Sequence, residues 1–259
     1  MILEDRTIVI SGVGTGLGME VARAALRDGA NVVMGARSED TLAANAKELD
    51  PEGSRVAWLP TDITKTEQCE ALAALAVERF GAIHALAQVA AYDNTWGPVL
   101  DQDPDQWRRA WDTNVLGAVS MVRATVPAMK NAGGGAVVLV GSQSMYQPQL
   151  EQAGYAASKG GLLSTMYFLA HELGPQKIRV NMVVPSWMWG PPVQMFVEFR
   201  AQSENKTQDE VKAEIASNMA LGEIVPDEDV AEAIVLLASE RARSITGQSL
   251  MVNGGEIMR

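Results

Sequence analysis

Tyr155 and Lys159 stand four residues apart in Tyr155-Ala-Ala-Ser-Lys159, inside a segment whose pattern predicts a helix over 152–173. Residues at that spacing share a helix face, so a phenol and an ammonium can meet around one substrate atom. A free tyrosine titrates near pH 10 and is a poor base at neutral pH. The neighbouring Lys159 cation is expected to favour phenolate and lower the Tyr155 pKa toward the range where general acid/base catalysis works well. Ser142 follows an apolar run at 136–140, at the carboxyl edge of an expected strand, where ligands collect in parallel sheets. Its hydroxyl is placed to hold a substrate oxygen.

A second constellation lies near the start of the chain. Ser11-Gly-Val-Gly-Thr-Gly-Leu-Gly18 sets Gly12, Gly14, Gly16 and Gly18, with Thr15 and Leu17 between them, directly after a short apolar run. Without side chains the backbone can turn tightly and approach a pyrophosphate, while the first N–H groups and the dipole of the following helix meet its charge. At the end of the next apolar run stands Gly35-Ala36-Arg37-Ser38. Ala36 occupies the place where an acid would bond the adenosine ribose and repel a 2'-phosphate. Arg37 can pair with that phosphate or stack on adenine, and Ser38 can add a hydrogen bond. NADP(H) is therefore the expected cofactor, with NAD(H) possible if Arg37 is only a solvated charge.

These groups need a scaffold to converge. Thr7 to Ile10 reads as a buried strand and residues 19–27 as a helix; further apolar runs at 31–34, 55–59, 85–89, 136–140, 180–184 and 249–252 alternate with expected helices at 38–49, 64–80, 104–129, 152–173 and 227–239. Strands apolar on both faces and spaced by helices imply a parallel sheet covered on both sides. No repeat, charged linker or Pro/Gly/Ser-rich spacer interrupts the rhythm, so residues 1–259 are expected to form one doubly wound Rossmann-like α/β domain of about seven strands. Residues 190–221, opening Gly190-Pro-Pro and then turning amphipathic, are the exception and read as a helical lid inserted over the carboxyl edge.

Composition narrows the function classes. Lys plus Arg number 21 against 32 Asp plus Glu, a net charge of -11, and no Lys/Arg cluster resembles a phosphate-backbone patch, so a nucleic-acid partner is not expected. Cys69 cannot form an internal disulfide, and with His84 and His171 it gives no metal-ligand spacing, so no metal is expected. Glu4, Asp5 and Arg6 precede any sizeable apolar run and no stretch of about 18 apolar residues occurs, which argues against a signal peptide or a membrane span and for a cytoplasmic location.

Gly12, Gly16 and Gly18 in Gly-x3-Gly-x-Gly spacing, Ser142 thirteen positions before Tyr155, and Lys159 together resemble the short-chain dehydrogenase/reductase family. The likeness runs from Ser11 through Ile178-Arg-Val-Asn-Met-Val-Val-Pro185 to the closing 246–255. It implies a catalytic tetrad of Asn114, Ser142, Tyr155 and Lys159. In that reading Asn114 holds a water in a proton relay, Ser142 polarises the carbonyl, and Lys159 also binds the nicotinamide ribose. It further implies an adenine contact at Asp62, a cofactor set completed by Ile63, Ala90, Pro185 and Met188, and a homotetramer. Three departures stand out: Gln88-Val89-Ala90-Ala91 in place of Asn-Asn-Ala-Gly, Ser186 in place of glycine, and Gly190 where a threonine often touches the carboxamide.

The loops expected around the nicotinamide carry Tyr92, Trp96, Met145, Trp187, Trp189 and Phe196, apolar side chains suited to a lipophilic or aromatic ketone or alcohol. The expected function is hydride transfer between NADP(H) and a carbonyl or secondary alcohol. Two other readings stay open: a dinucleotide-binding subunit or sensor without turnover, and a redox-assisted epimerase or lyase on the same scaffold.

Overall fold

Every apolar run singled out in the sequence becomes a strand of one parallel sheet. A computed structural model describes residues 1–258. Strands β1 (Thr7–Ser11), β2 (Asn31–Ala36), β3 (Val56–Pro60), β4 (Ala85–Gln88), β5 (Gly135–Val140), β6 (Ile178–Pro185) and β7 (Ser249–Val252) pair in the order β3-β2-β1-β4-β5-β6-β7. The order reverses between β1 and β4, so the two loops that follow these strands part there and open a crevice at the carboxyl edge.

Alternate residues of each strand feed opposite faces, as the period of two requires. Ile8, Ile10, Val32, Met34, Ala87 and Val138 pack beneath α1 (Leu17–Arg27) and α9 (Asp227–Ala238). Val9, Val33, Leu86, Val137 and Leu139 pack beneath α3 (Thr66–Phe80), α5 (Ala118–Asn131) and α6 (Ala153–Leu173). Helix α2 (Glu39–Leu49) starts one residue later than the sequence pattern predicts, because Ser38 caps it, its Oγ accepting the Thr41 N–H. Helix α3 starts at Thr66 rather than 64, because the Thr64 N–H and hydroxyl both bond back to Asp62.

One expectation fails. The helix foreseen over 104–129 is broken into α4 (Pro104–Trp111), a wide π-turn at Asp112–Gly117, and α5. Its cause is tertiary: Asn114 sits in the π-turn and its amide is drawn to the Tyr92 backbone and to Ser158. Such bulges are frequent at functional sites because they re-aim a side chain without ending the helix.

Residues 190–221 fold largely as α7 (Pro191–Glu204) and α8 (Gln208–Ala216). With Ile224 just beyond, they form a small core of Val197, Ala201, Val211, Ile215, Ala216, Met219 and Ile224. No helix is long and apolar enough to cross a membrane among the described residues.

Candidate active site

Helix α6 begins just before Tyr155, whose backbone N–H is one of the four a helix start leaves without an intrahelical partner. The Thr95 hydroxyl accepts it at 2.9 Å, and the Gly154 N–H goes to Gln102 Oε1 at 3.2 Å. Two loop side chains thus fix the first turn of α6. One turn on, Lys159 is 2 % exposed and carries its ammonium back toward the sheet, donating to the Val140 carbonyl at 2.7 Å. Its Nζ lies 5.6 Å from the centroid of the Tyr155 ring. Ser142, two residues past Val140, accepts the Ser144 hydroxyl at 2.9 Å and faces the Tyr155 phenol, on which it acts electrostatically.

Asn114 completes the cluster by position rather than by direct contact with the phenol. It is 1 % exposed, its Oδ1 takes the Tyr92 N–H at 2.7 Å, and its Nδ2 gives to the Tyr92 carbonyl and to Ser158 Oγ, each at 2.8 Å. The amide therefore ties the loop after β4 to α6, beside Lys159.

The electrostatics correct one sequence-based expectation. Burial pushes the Tyr155 phenol up to about 12; the Ser142 hydroxyl opposes the rise and the Asp93 carboxylate adds to it. Burial pulls Lys159 down to about 8, against the attraction of Asp93. Removal from water penalises each charge more than the pair recovers at this separation, so the phenol is neutral at pH 7 and the ammonium largely protonated. Tyr155 is therefore a phenol with a proton it could donate, rather than a phenolate.

The glycine turn joins β1 to α1. Gly12 has φ +94°, and a Cβ there would overlap the Ala90 backbone. A Cβ on Gly18 would overlap the Gly12 carbonyl, so the helix start lies directly on the turn. Gly14 faces open space, and the Asn45 amide holds its carbonyl at 2.9 Å. Ser11 Oγ is buried with no hydrogen-bond partner among the described residues. A tight turn with room beside it, a helix N-terminus and an orphaned hydroxyl fit a dinucleotide pyrophosphate.

From this turn a cavity of about 780 Å³ runs along the carboxyl edge, lined by Gly12, Gly14, Ala36, Arg37, Ser38, Asp62, Ile63, Ala90 and Tyr92 among others. Asp62 is pushed up by burial, but bonds from Thr64 and the charge of Arg37 outweigh this and hold its carboxyl below the ordinary value. Thr41, Thr64, Arg109 and Thr113 also line the cavity and were not foreseen; Thr113 adjoins Asn114 in sequence and could have been flagged, whereas Arg109 carried no signal. Thr15, Gly16, Leu17 and Gly18 form the rest of the turn and helix start, and Pro185 and Met188 lie at and just beyond the end of β6. Tyr92 and Thr113 are among the lining residues, and Asn114, next to Thr113 in the chain and bonded to Tyr92, links them to the Tyr155 helix.

The six foreseen substrate residues are not gathered in one place. Tyr92 lines the cofactor-side cavity and bonds its hydroxyl to Gln106. Trp96 is 53 % exposed. Met145 lines a separate cavity of about 490 Å³ with Gly97, Tyr146 and Leu150. Trp187 and Phe196 meet with centroids 5.1 Å apart and ring planes tilted by 38°, and line another, of about 610 Å³, beneath α7. Trp189 lies under the Lys212 ammonium of α8, which is 4.1 Å from its ring. Trp187, Trp189 and Phe196 all pack on the small core of α7 and α8, whose few aliphatic residues leave apolar area for the rings to cover.

The departures have local explanations. The Gln88 amide bonds to the Ala90 carbonyl at 3.3 Å, while the Val89 and Ala90 N–H groups both go to the Ser11 carbonyl, so β4 still ends against the glycine turn. Ser186 donates its hydroxyl to the Glu256 carboxylate. A Cβ on Gly190 would overlap the Asp227 carboxylate, so a threonine does not fit there.

Comparison with known proteins agrees with this geometry. The family profile described as enoyl-(acyl carrier protein) reductase matches residues 12–256. L-rhamnose 1-dehydrogenase (NAD(P)(+)) from Azotobacter vinelandii is 34 % identical over 260 residues, covering 98 % of each chain. Dehydrogenase/reductase SDR family member 4 from Sus scrofa is 30 % identical over 257 residues, covering 99 % of this chain and 89 % of that one. A short-chain dehydrogenase/reductase from Mycobacterium ulcerans superposes with a TM-score of 0.90 at 28 % identity, over 99 % of this chain and 91 % of that one. The chain belongs to the short-chain dehydrogenase/reductase family, oxidoreductases that act on CH–OH and C=O groups with a nicotinamide dinucleotide.

Proposed function

We propose that this chain, as one catalytic domain over residues 1–259, transfers hydride reversibly between NADP(H) and a carbonyl or secondary alcohol carbon of a lipophilic small molecule. The observation that carries the reading is the cluster of Tyr155, Lys159 and Ser142 at the carboxyl end of β5, tied through Asn114 to the cavity that starts at the glycine turn. Preference for NADP(H) rests on Arg37 and Ser38 lining that cavity where β2 ends in Ala36 instead of a carboxylate.

When bound, the nicotinamide supplies or accepts the hydride. In reduction Tyr155 gives its phenolic proton to the substrate oxygen, to which Ser142 donates a hydrogen bond. Lys159 spends one N–H on Val140 and keeps two, one side facing the Tyr155 ring and the other available to the ribose. Both Nδ2 hydrogens of Asn114 are taken by Tyr92 and Ser158, while Oδ1 accepts only the Tyr92 N–H, so a relay water would bond to an Asn114 oxygen. Helices α7 and α8 act as the lid, with Trp187 and Phe196 as its inner face toward an apolar substrate.

A homotetramer in the cytoplasm is part of the proposal. Trp111, Leu116, Tyr167 and Phe168 are exposed on α4, the π-turn and α6, and Leu236 and Leu250 near the β7 edge, which are apolar faces a second copy can cover.

The test is a screen of lipophilic ketones and secondary alcohols by nicotinamide absorbance, repeated with Tyr155→Phe. Turnover is expected with NADPH and tighter binding of NADPH than NADH. Tyr155→Phe should keep NADPH affinity within about twofold and lose on the order of 10³ in kcat, within the usual worth of a positioned acid. A Tyr155→Phe variant that retains turnover, or equal affinity for the two cofactors, contradicts the corresponding part of the proposal.

A further inference from the structure

Asp227 opens α9, and its carboxyl is wedged between two glycines. A Cβ on Gly190, the residue before lid helix α7, would overlap Asp227 Oδ2. A Cβ on Gly16, at the N-cap of α1, would stand 3.2 Å from the same atom. The side chain is 6 % exposed, and its Oδ1 is buried with no hydrogen-bond partner among the described residues. A carboxylate taken from water without partners is costly, far more so than the neutral acid.

The surroundings reinforce that cost. The charged groups that face Asp227 are Glu228 on its own helix and Glu20 on α1, both acidic. Arg27, the basic residue of the last turn of α1, is bound to Asp28 and Glu232. The elements in contact at Gly16 and at Gly190–Pro191 bring no charge. Burial first, then the two glutamates, push the Asp227 carboxyl up to about 6.

Gly16 belongs to the turn on which the pyrophosphate would lie. A carboxylate there shares one helix N-terminus with the phosphate charge and repels it, whereas a neutral acid does not and has an O–H to donate. We propose that Asp227 is a proton-linked positioning residue of the dinucleotide site: the cofactor binds preferentially to the form with a neutral Asp227, so binding shifts the carboxyl toward its protonated form and release reverses the shift. This rests on the dinucleotide reading above and adds a regulation of that same site.

The sign follows from linkage. The free carboxyl titrates near 6 and the cofactor-bound one higher, so affinity is greatest below that window, weakens as the pH rises through it, and levels off above.

The experiment is titration with NADH, which lacks the 2'-phosphate that ionises in the same range, followed by fluorescence from pH 5.5 to 8.5. Calorimetry at pH 7 in two buffers of different ionisation enthalpy counts the protons. The wild-type Kd should weaken about fivefold or more across the range, within the usual span of coupling between sites, and binding should take up a fraction of a proton. Asp227→Asn should give a flat Kd, no proton uptake and tighter binding than wild type at pH 8. Asp227→Ser, which removes the charge and some volume, should do the same and serves if the asparagine variant does not fold. A wild-type Kd independent of pH, or Asp227 variants that keep the slope and the proton uptake, overturns the proposal and leaves the dinucleotide site standing. Absence of binding of NADH and of NADPH alike, to every form at every pH, overturns both together.

Discussion

The crevice at the β1/β4 switch and the region under α7 and α8 sit on the same edge of the sheet, yet they are built differently. In the crevice, backbone geometry does most of the positioning. Gly12 and Gly18 permit contacts no other residue allows, Asn45 and Ser11 hold carbonyls and N–H groups in place, and Arg37, Ser38 and Asp62 line one cavity. Under α7 and α8, side-chain packing does the work: Trp187 and Phe196 meet, and they and Trp189 pack against the core that includes Val197, Val211 and Ile215. A site specified by backbone is intolerant of change at single positions. A site specified by apolar packing tolerates exchange of side chains of similar volume, which suits a region that adapts to a substrate.

Two substitutions sharpen this contrast, the larger effect first. Gly18→Val places branched carbons where the Gly12 carbonyl already lies, so the turn and the helix start must separate. NADPH affinity should fall at least about a hundredfold, near the top of the range for coupled losses at one site, read by fluorescence titration. Trp187→Ala removes one of two tilted rings in contact on the core of α7 and α8. NADPH affinity should stay within about twofold while amide exchange in residues 191–216 accelerates, reporting a local loss of about 1–3 kcal/mol, below the usual cost of truncating a fully buried tryptophan. If Trp187→Ala weakens cofactor binding as much as Gly18→Val, the two regions are not independent and the contrast fails.

The readability of the sequence follows the same division. The strands were legible because each is a mainly apolar run bounded by turns, and the sheet registers all pair parallel. Tyr155, Lys159 and Ser142 were legible because a helix face and a strand end are local properties. The break at Asp112–Gly117 was not, because it is driven by bonds from Asn114 to residues 22 and 44 positions away in the chain. Asp227 was equally hidden. In Pro226-Asp-Glu-Asp it resembles any acidic first turn of a helix, and only the approach of Gly16 and Gly190 in space sets it apart. The aromatic loop residues were legible as apolar but not as partners, since nothing local tells Trp187 to meet Phe196 or Trp189 to lie under Lys212.

The sequence-based expectation for Tyr155 fails for a related reason. Spacing shows that Lys159 is near, but the depth of both residues is a property of the whole fold, and burial outweighs their proximity. This keeps the Tyr155 phenol neutral at neutral pH, as the donor role proposed for it requires, and pulls Lys159 down to about 8.

The most direct test of that assignment is the ultraviolet difference spectrum of tyrosinate, recorded from pH 6 to 10.5 on wild type and on Tyr155→Phe and subtracted. With the phenol pushed up to about 12, the subtraction should leave no tyrosinate absorbance attributable to Tyr155 below pH 10. A component that appears between pH 7 and 9 and vanishes in Tyr155→Phe would show a phenolate formed under the influence of Lys159, and would contradict the neutral-donor mechanism.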